Sequence, residues 1–321
     1  MKVLITGGAG FIGSHLAEAY LRRGEEVYVI DDLSTGSRDN IGQLLGNPLF
    51  HFVNDTILNR ETLLELTGIC DVVVHLAAAV GVKLIIDEPL KSIHTNIAGT
   101  EIVLELANKF RKKVFLASTS EVYGRNPKVP LAEDDARIYG STAVVRWSYA
   151  ATKAMDEFLA LAYFRNKQLP VVIGRFFNTI GPRQTGRYGM VVPRFVGQAL
   201  RGQPLTIYGD GDQTRTFTYV EDLVRGITAL VDEPAAAGEI FNIGGDEEIS
   251  INELAARIKR LTGSSSPLVH IPIEEAYEEG FEDMERRVPD LTKVRKLVGY
   301  RNTWNLDAML AGIIEYERTR I

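Results

Sequence analysis

Tyr149 and Lys153 stand four apart in a stretch, Ser148 to Arg165, that reads as a helix. Residues at that spacing share one helix face. A phenol beside an ammonium is a proton-abstracting pair, because the positive charge favours the phenolate. Tyr/Lys pairs also occur on helices for purely structural reasons, so the surroundings decide. A second group lies upstream. Ser118, Thr119, Ser120 and Glu121, in the run STSEVYG, follow the strand-like segment Lys113 to Ala117. Open α/β sheets keep their reacting groups beyond the carboxyl ends of strands, and hydroxyls with a carboxylate are suited to that place.

The scaffold for these groups begins at the amino terminus. Lys2 to Thr6 (KVLIT) suits a buried parallel strand. Gly7, Gly10 and Gly13 follow, then Phe11, Ile12, Leu16, Ala17, Tyr20 and Leu21 at helical spacing, with Gly24 as the stop. Val27 to Ile30 is a second buried strand ending on Asp31 and Asp32. Glycines let phosphate approach main-chain N–H groups, and the helix directs its positive end at a pyrophosphate. A carboxylate after the second strand accepts from adenine-ribose hydroxyls. Strand, glycines, helix, strand and acid at this spacing point to dinucleotide binding. Asp31 without an arginine directly after it favours NAD over NADP, with Arg38 the nearest residue able to upset that choice. Beside an oxidised nicotinamide, which carries positive charge, Tyr149 and Lys153 gain a reason to be together: the tyrosine can act as a base near neutral pH.

Composition narrows the class. The 321 residues can bury a large core and are expected to form two lobes. A net charge of −6 leaves no broad basic field for nucleic acid. The single cysteine, Cys70, excludes an internal disulfide, and the scattered His15, His51, His75, His94 and His270 show no zinc spacing, so no metal is expected. No secretory signal or membrane span is visible, and the expectation is a cytosolic enzyme without a membrane partner.

Further strands are expected at Leu49 to Val53, Asp71 to Leu76 and Leu169 to Ile173, and helices at Arg60 to Leu66 and Pro89 to Phe110. This alternation argues for an α/β fold with a doubly wound parallel sheet. Asp55, Thr56 and Ile57 follow the third strand. Asp55 and Ile57 could bracket an adenine, and a plain turn acid is the other reading of Asp55. Leu76, Ala77 and Ala78 end the fourth strand with small residues that let a flat cofactor lie against backbone. Asn96 stands near the start of the long helix. On the helix carrying Tyr149, the core face is expected at Ala150, Ala151, Met155, Phe158, Leu159 and Ala162. The stretch from Asn126 to Ser141, with prolines at 127 and 130, should be a surface loop. Helices at Val191 to Leu200, Tyr219 to Val231 and Leu306 to Arg318, a strand at Glu239 to Ile243, and a capping box at Ser250 to Glu253 complete the pass. The charge-rich run from Glu274 to Arg287 reads as a mobile flap.

GGAGFIG with Asp31, STSEVYG at 118–124 and Tyr149-Ala-Ala-Thr-Lys153 together resemble the extended short-chain dehydrogenase/reductase family, over nearly the whole chain. The resemblance implies a Rossmann domain at 1–178, to which segments near 212–245 return, and a smaller α/β substrate lobe at 179–321. It implies NAD held at Gly7, Gly10, Phe11, Ile12, Gly13, Asp31, Asp32, Asp55, Thr56, Ile57, Leu76, Ala77, Ala78, Asn96, Tyr149 and Lys153. It also implies a nucleotide sugar, of UDP type, met by Asn178, Val192, Tyr208, Arg215, Arg287 and Asp290. Two arginines neutralise a diphosphate and hold it bidentately. Relatives often form homodimers through the helices near 96–110 and 149–165.

In such enzymes Tyr149 would take the proton of a sugar O4–H while C4 gives hydride to NAD, with Lys153 lowering the tyrosine pKa and Ser118 or, by register, Thr119 donating to O4. The 4-keto sugar then has three fates. Turnover of the ketone gives a 4-epimerase, loss of carbon dioxide from a C6 carboxylate gives a decarboxylase, and loss of water from C6 gives a 4,6-dehydratase. Ser120-Glu121 resembles the UDP-glucuronate decarboxylases and argues for chemistry at C5 or C6. The segment Ala79 to Lys83 lacks the proline and tyrosine usual in those decarboxylases, and Leu33 to Gly36 lacks the arginines of GDP-mannose dehydratases. Lys83 and Arg187 are further residues able to meet a substrate carboxylate, with solvated surface charge the other reading. The leading expectation is a UDP-sugar 4-epimerase resembling UDP-glucose 4-epimerase, then UDP-glucuronate decarboxylation, then dehydration. A non-catalytic NAD or nucleotide-sugar sensor is the reading from a different class. In each catalytic case hydride returns to the sugar, and NAD is a tightly held, recycled cofactor.

Overall fold

The chain is described by a computed structural model covering residues 1–186, 189–272, 275 and 284–320, with the side chains of 82–84 left undescribed. In chain order the first elements are β1 (Lys2–Thr6), α1 (Phe11–Arg22), β2 (Glu26–Ile30), β3 (Phe50–Val53), α2 (Arg60–Ile69), β4 (Val72–His75), α3 (Val82–Asp87) and α4 (Pro89–Phe110). They are followed by β5 (Lys113–Thr119), α5 (Trp147–Lys167), β6 (Val171–Phe176), β7 (Thr179–Ile180), α6 (Val191–Leu200), β8 (Leu205–Tyr208), β9 (Thr214–Thr216) and β10 (Thr218–Tyr219). Next come α7 (Val220–Asp232), β11 (Ile240–Ile243), β12 (Glu248–Ser250), α8 (Ile251–Thr262), β13 (Leu268–Ile271) and β14 (Arg286–Arg287). Helices at Thr292–Val298 and Leu306–Arg318 close the chain.

Seven parallel strands form the central sheet in the order β11-β6-β5-β4-β1-β2-β3. The chain winds outward from β1 in one direction and, after β3, crosses to β4 and winds the other way. The switch point lies between β1 and β4, and ligands of such sheets bind at the carboxyl ends there. The strands are apolar on both sides because helices cover both faces. Val3, Ile5 and Val27 pack with residues of α1 and α7, whereas Leu4, Val73 and Leu116 pack with α2, α4 and α5. A separate core in the second lobe joins α6, α8 and the last helix. Ser250 Oγ accepts from Glu253 N at 3.1 Å, so the cap expected before α8 forms.

Three expectations need correction. On α5, Ala151 is exposed, and Met155 and Phe158 are 54% and 60% exposed. Ala150 is buried as expected and Leu159 packs on the core, and the buried face also holds Tyr149, Thr152, Lys153, Asp156 and Glu157. Apolar residues mark the inward face only where the helix meets an apolar neighbour, and around 153–157 this one meets polar partners, its later turns joining the apolar core. The 126–141 loop is not a plain surface loop. Leu131 is fully buried, its N–H donates to Val288 O at 2.8 Å, and Glu133 Oε1 accepts from Asn242 N at 2.8 Å. The return of the later chain to the main sheet runs through α7 and β11 and not from 212, since β9 pairs with β12 and β14 in a small sheet of the other lobe. Most of the charge-rich run 274–287 lies outside the described residues; of it, 275 and 284–287 are described, the last two forming β14.

Candidate functional site

Where the strand order reverses, a cleft of about 1390 Å³ opens between the two lobes. Single small ligands occupy roughly 300–1,000 Å³, so this volume suits a dinucleotide and a second ligand together. Its floor is the turn from β1 into α1. Gly7 has φ +71°, and a Cβ on Gly13 would stand 2.3 Å from Gly7 O. Only glycine permits that approach of helix start to strand end. Gly7, Gly10, Phe11, Ile12 and Gly13 line the cleft, so the amino end of α1 opens into it. This cradle fits a pyrophosphate.

Asp31 and Asp32 lie at the far end of the cradle. Asp31 Oδ2 accepts from Ala9 N at 2.9 Å and Oδ1 from Leu33 N at 2.8 Å. Burial raises its pKa, and those N–H donors oppose the rise. Arg38 lies off the lining, its guanidinium 5.7 Å from the centre of the Phe52 ring. Ile57 lines the cleft and is buried, with Leu76, Ala77 and Ala78 opposite. Asp55 reaches the lining too, but its carboxylate accepts from Thr62 Oγ1, Thr56 N and Asn59 Nδ2 at 2.7–2.8 Å, as a turn acid does.

Two of the residues expected at the cofactor stand back from the cleft. Thr56 accepts from Leu58 N through its hydroxyl at 3.3 Å. Asn96 is buried under the segment after β4, where its Oδ1 accepts from Ala79 N at 2.8 Å; it shapes the cleft wall. On the other side, Asn178, Val192, Tyr208, Arg215 and Arg287 all line the cleft, and Asp290 does not. The Asp290 carboxylate accepts from Thr292 N at 2.8 Å and opens the following helix. Arg187 and the side chain of Lys83 lie outside the described residues.

Between these walls sit Tyr149, Lys153, Ser118, Thr119, Ser120 and Glu121. The Thr119 hydroxyl faces the Tyr149 phenol and favours its ionised form. Ser118 is turned away: its Oγ donates to Glu157 Oε1 at 2.6 Å, which removes it as the donor and leaves Thr119. The Tyr149 phenol is held above its ordinary pKa by burial, then by the carboxylates of Glu121 and Asp156, against the Thr119 hydroxyl. The expected lowering by Lys153 is absent here. Lys153 Nζ is paired with Asp156 Oδ2 at 2.8 Å, so much of its charge is neutralised. The three-residue spacing of Lys153 and Asp156 was a readable signal for that pair.

Glu121 has company that the sequence reading missed. Arg146, 5% exposed, brings Nη2 to 3.6 Å from Glu121 Oε1, and Arg287 brings Nη1 to 3.4 Å from the same oxygen. Arg146 sits immediately before α5, three residues ahead of Tyr149, and that shared face was its only sequence signal. Arg194 was also missed; it stacks with its guanidinium 3.9 Å from the centre of the Tyr208 ring at the outer end of the cleft. The arrangement offers a hydroxyl pair for proton transfer, a dinucleotide cradle alongside it, and a carboxylate held by two guanidiniums.

Residues 3–244 match the model of the NAD dependent epimerase/dehydratase family. The chain is 45% identical over 318 residues to the UDP-N-acetyl-alpha-D-glucosaminuronate decarboxylase of Bacillus cytotoxicus, covering 99% of this chain and 98% of that one. It is 35% identical over 320 residues to UDP-glucuronic acid decarboxylase 1 of Xenopus tropicalis, covering 100% of this chain and 73% of the relative. Its fold matches the crystal structure of the UDP-glucuronic acid 4-epimerase of Bacillus cereus in complex with UDP-glucuronic acid and NAD, with TM-score 0.90, 34% identity and 100% of both chains covered.

Proposed function

Since the chain belongs to the NAD dependent epimerase/dehydratase family and is an NAD-dependent enzyme, we propose that it decarboxylates a UDP-linked hexuronate through a 4-keto intermediate. The observation that carries this reading is the Glu121 cluster. Two guanidiniums, Arg146 and Arg287, converge on the Glu121 carboxylate beside Tyr149, and guanidiniums at that place suit a substrate carboxylate at C6. Similarity to the decarboxylases supports it, and it displaces 4-epimerisation as the first choice among the fates of the ketone.

The steps follow from the side chains. Tyr149 takes the O4 proton, and Thr119 donates to O4. When bound, NAD supplies a hydride acceptor for C4 and later returns that hydride. The resulting ketone is β to the C6 carboxylate, so carbon dioxide leaves with its bonding electrons passing into the ketone. C5 then takes up a proton that comes from solvent, passed on by Glu121 near Tyr149. Tyr149 returns its proton to O4 as C4 is reduced again, and the product would be a UDP-pentose. Gly7, Gly13 and Asp31 hold the dinucleotide; Arg215 and Arg287 flank the diphosphate and the sugar, and Tyr208 meets the base.

The 4-epimerase reading keeps one specific support, the fold match to a UDP-glucuronic acid 4-epimerase with substrate and NAD. Proton NMR of incubations with UDP-glucuronate, UDP-N-acetylglucosaminuronate, UDP-glucose and UDP-galactose separates the two. A new pair of C5 methylene signals from either uronate confirms decarboxylation. Inversion at C4 with the carboxylate retained refutes it. The protein is also expected to purify with NAD bound. Leu90, Met155 and Phe158, exposed on α4 and α5, are assigned to a homodimer contact, which light scattering of the purified protein tests.

A further inference from the structure

A buried polar chain runs from the cleft wall just after β4 to Lys153. Ala77 N donates to Thr6 Oγ1 at 3.2 Å, and Thr6 Oγ1 lies 2.7 Å from His75 Nδ1. His75 Nε2 lies 3.1 Å from Thr100 Oγ1, the Thr100 hydroxyl faces Asp156 and favours its ionised form, and Lys153 Nζ donates to Asp156 Oδ2 at 2.8 Å. Thr6, His75, Thr100, Lys153 and Asp156 are each at most 3% exposed. Elements β1, β4, α4 and α5 thus each contribute a member.

The proton positions are determined by the two ends. A carboxylate only accepts, so Thr100 donates to Asp156 and must accept from His75 Nε2–H. His75 is then the Nε2–H tautomer, and its Nδ1 accepts from the Thr6 hydroxyl. Each hydroxyl donates once and accepts once. Burial and the nearby Lys153 charge push the His75 pKa down to about 3, so the ring remains neutral and the polarity of the chain is preserved.

We propose that Asp156 is a positioning residue for the Tyr149–Lys153 pair, anchoring the lysine ammonium and tying that anchor through Thr100, His75 and Thr6 to the cleft-wall backbone at Ala77. The proposal rests on the reading of Tyr149 as the base. The charged and titratable groups around the pair are Glu121 and Asp156 at Tyr149, Lys153 and Glu157 on α5 beside Asp156, and His75 from β4. Asp156 offsets the lysine charge, so Tyr149 stays protonated until further positive charge arrives beside it.

The test uses the full enzyme saturated with NAD. Tyr149 ionisation is read as the ultraviolet phenolate signal lost on adding Y149F to the same background. Asp156→Asn removes a negative charge and should lower the phenol midpoint by roughly one pH unit, with the acid limb of the turnover profile moving the same way. Thr100→Val, which changes no charge, should loosen the anchor and shift the midpoint; Thr100→Ser should restore it. An unchanged midpoint and pH profile in either Asp156→Asn or Thr100→Val protein, with a native urea midpoint, overturns the proposal. Turnover retained by Y149F alone refutes the base assignment instead, and the phenol titration still reads the relay.

Discussion

Two glutamates near the carboxyl end of β5 each face two arginines, and they are opposite in kind. Glu157 is 1% exposed; its Oε2 accepts from Arg137 at 2.6 Å and Arg175 at 2.8 Å, and its Oε1 from Arg175 at 2.8 Å and Ser118 at 2.6 Å. Burial pushes its pKa up, and Arg175, Ser118 and Arg137 outweigh burial and hold it below the usual range. Glu121 lies in the cleft, and its contacts to Arg146 and Arg287 are 3.6 and 3.4 Å. The first cluster is closed, with short bonds converging on both oxygens. The second has the same residue types at longer range, in a space that admits a ligand. Residue type alone does not separate a structural ion cluster from a reactive one; distance and access do.

The contrast can be broken most directly at Glu157. Glu157→Gln leaves the buried Arg175 and the half-buried Arg137 without their counter-charge, and urea unfolding should show a loss of about 3–5 kcal/mol. Glu121→Gln should cost less stability than Glu157→Gln, because its arginine contacts are long at 3.6 and 3.4 Å, and should cut uronate turnover by roughly a hundredfold or more. Equal stability losses in the two variants would erase the distinction. A smaller effect is expected from His75, also closed and dry. Its folded pKa is near 3, below an unfolded value of 6.5, so the unfolded chain binds the proton first as pH falls. Its share of stability is complete above pH 6.5 and is lost as pH falls from there toward 3. Between pH 7 and 5 wild type should lose about 2 kcal/mol more than His75→Asn, measured by urea unfolding at both pH values. The least effect is expected at Arg38, which stacks on Phe52 outside the cleft. Arg38→Ala should change the preference for NAD over NADP by less than about 0.5 kcal/mol in paired binding titrations.

The frame was legible because local rules dictate it. The β1–Gly7–α1–β2–Asp31 unit needs only strand, glycine, helix and acid in order, and the observed elements fall where that order puts them. The limits of α4, α6 and the last helix were readable for the same reason. What escaped was set by partners distant in sequence. Ser118 is claimed by Glu157, 39 residues on, and no spacing announces that bond. The polar inward face of α5 depends on Arg175 of β6, Thr100 of α4 and Arg137 of the 126–141 loop. Arg146 precedes the helix and carried no motif, so only the folded chain brings it to Glu121. Asp290 and Thr56 resemble ligand contacts by position, yet their polar atoms serve the adjacent backbone.

The central claim is that the open glutamate cluster serves removal of a substrate carboxylate. Carbon-13 NMR of UDP-glucuronate and UDP-N-acetylglucosaminuronate labelled at C6 tests it in one measurement. The account predicts that label from at least one of them appears as carbon dioxide and bicarbonate, at a rate that falls at least a hundredfold in Glu121→Gln. Label that stays on the sugar carboxylate in both substrates, while C4 inverts, would contradict it.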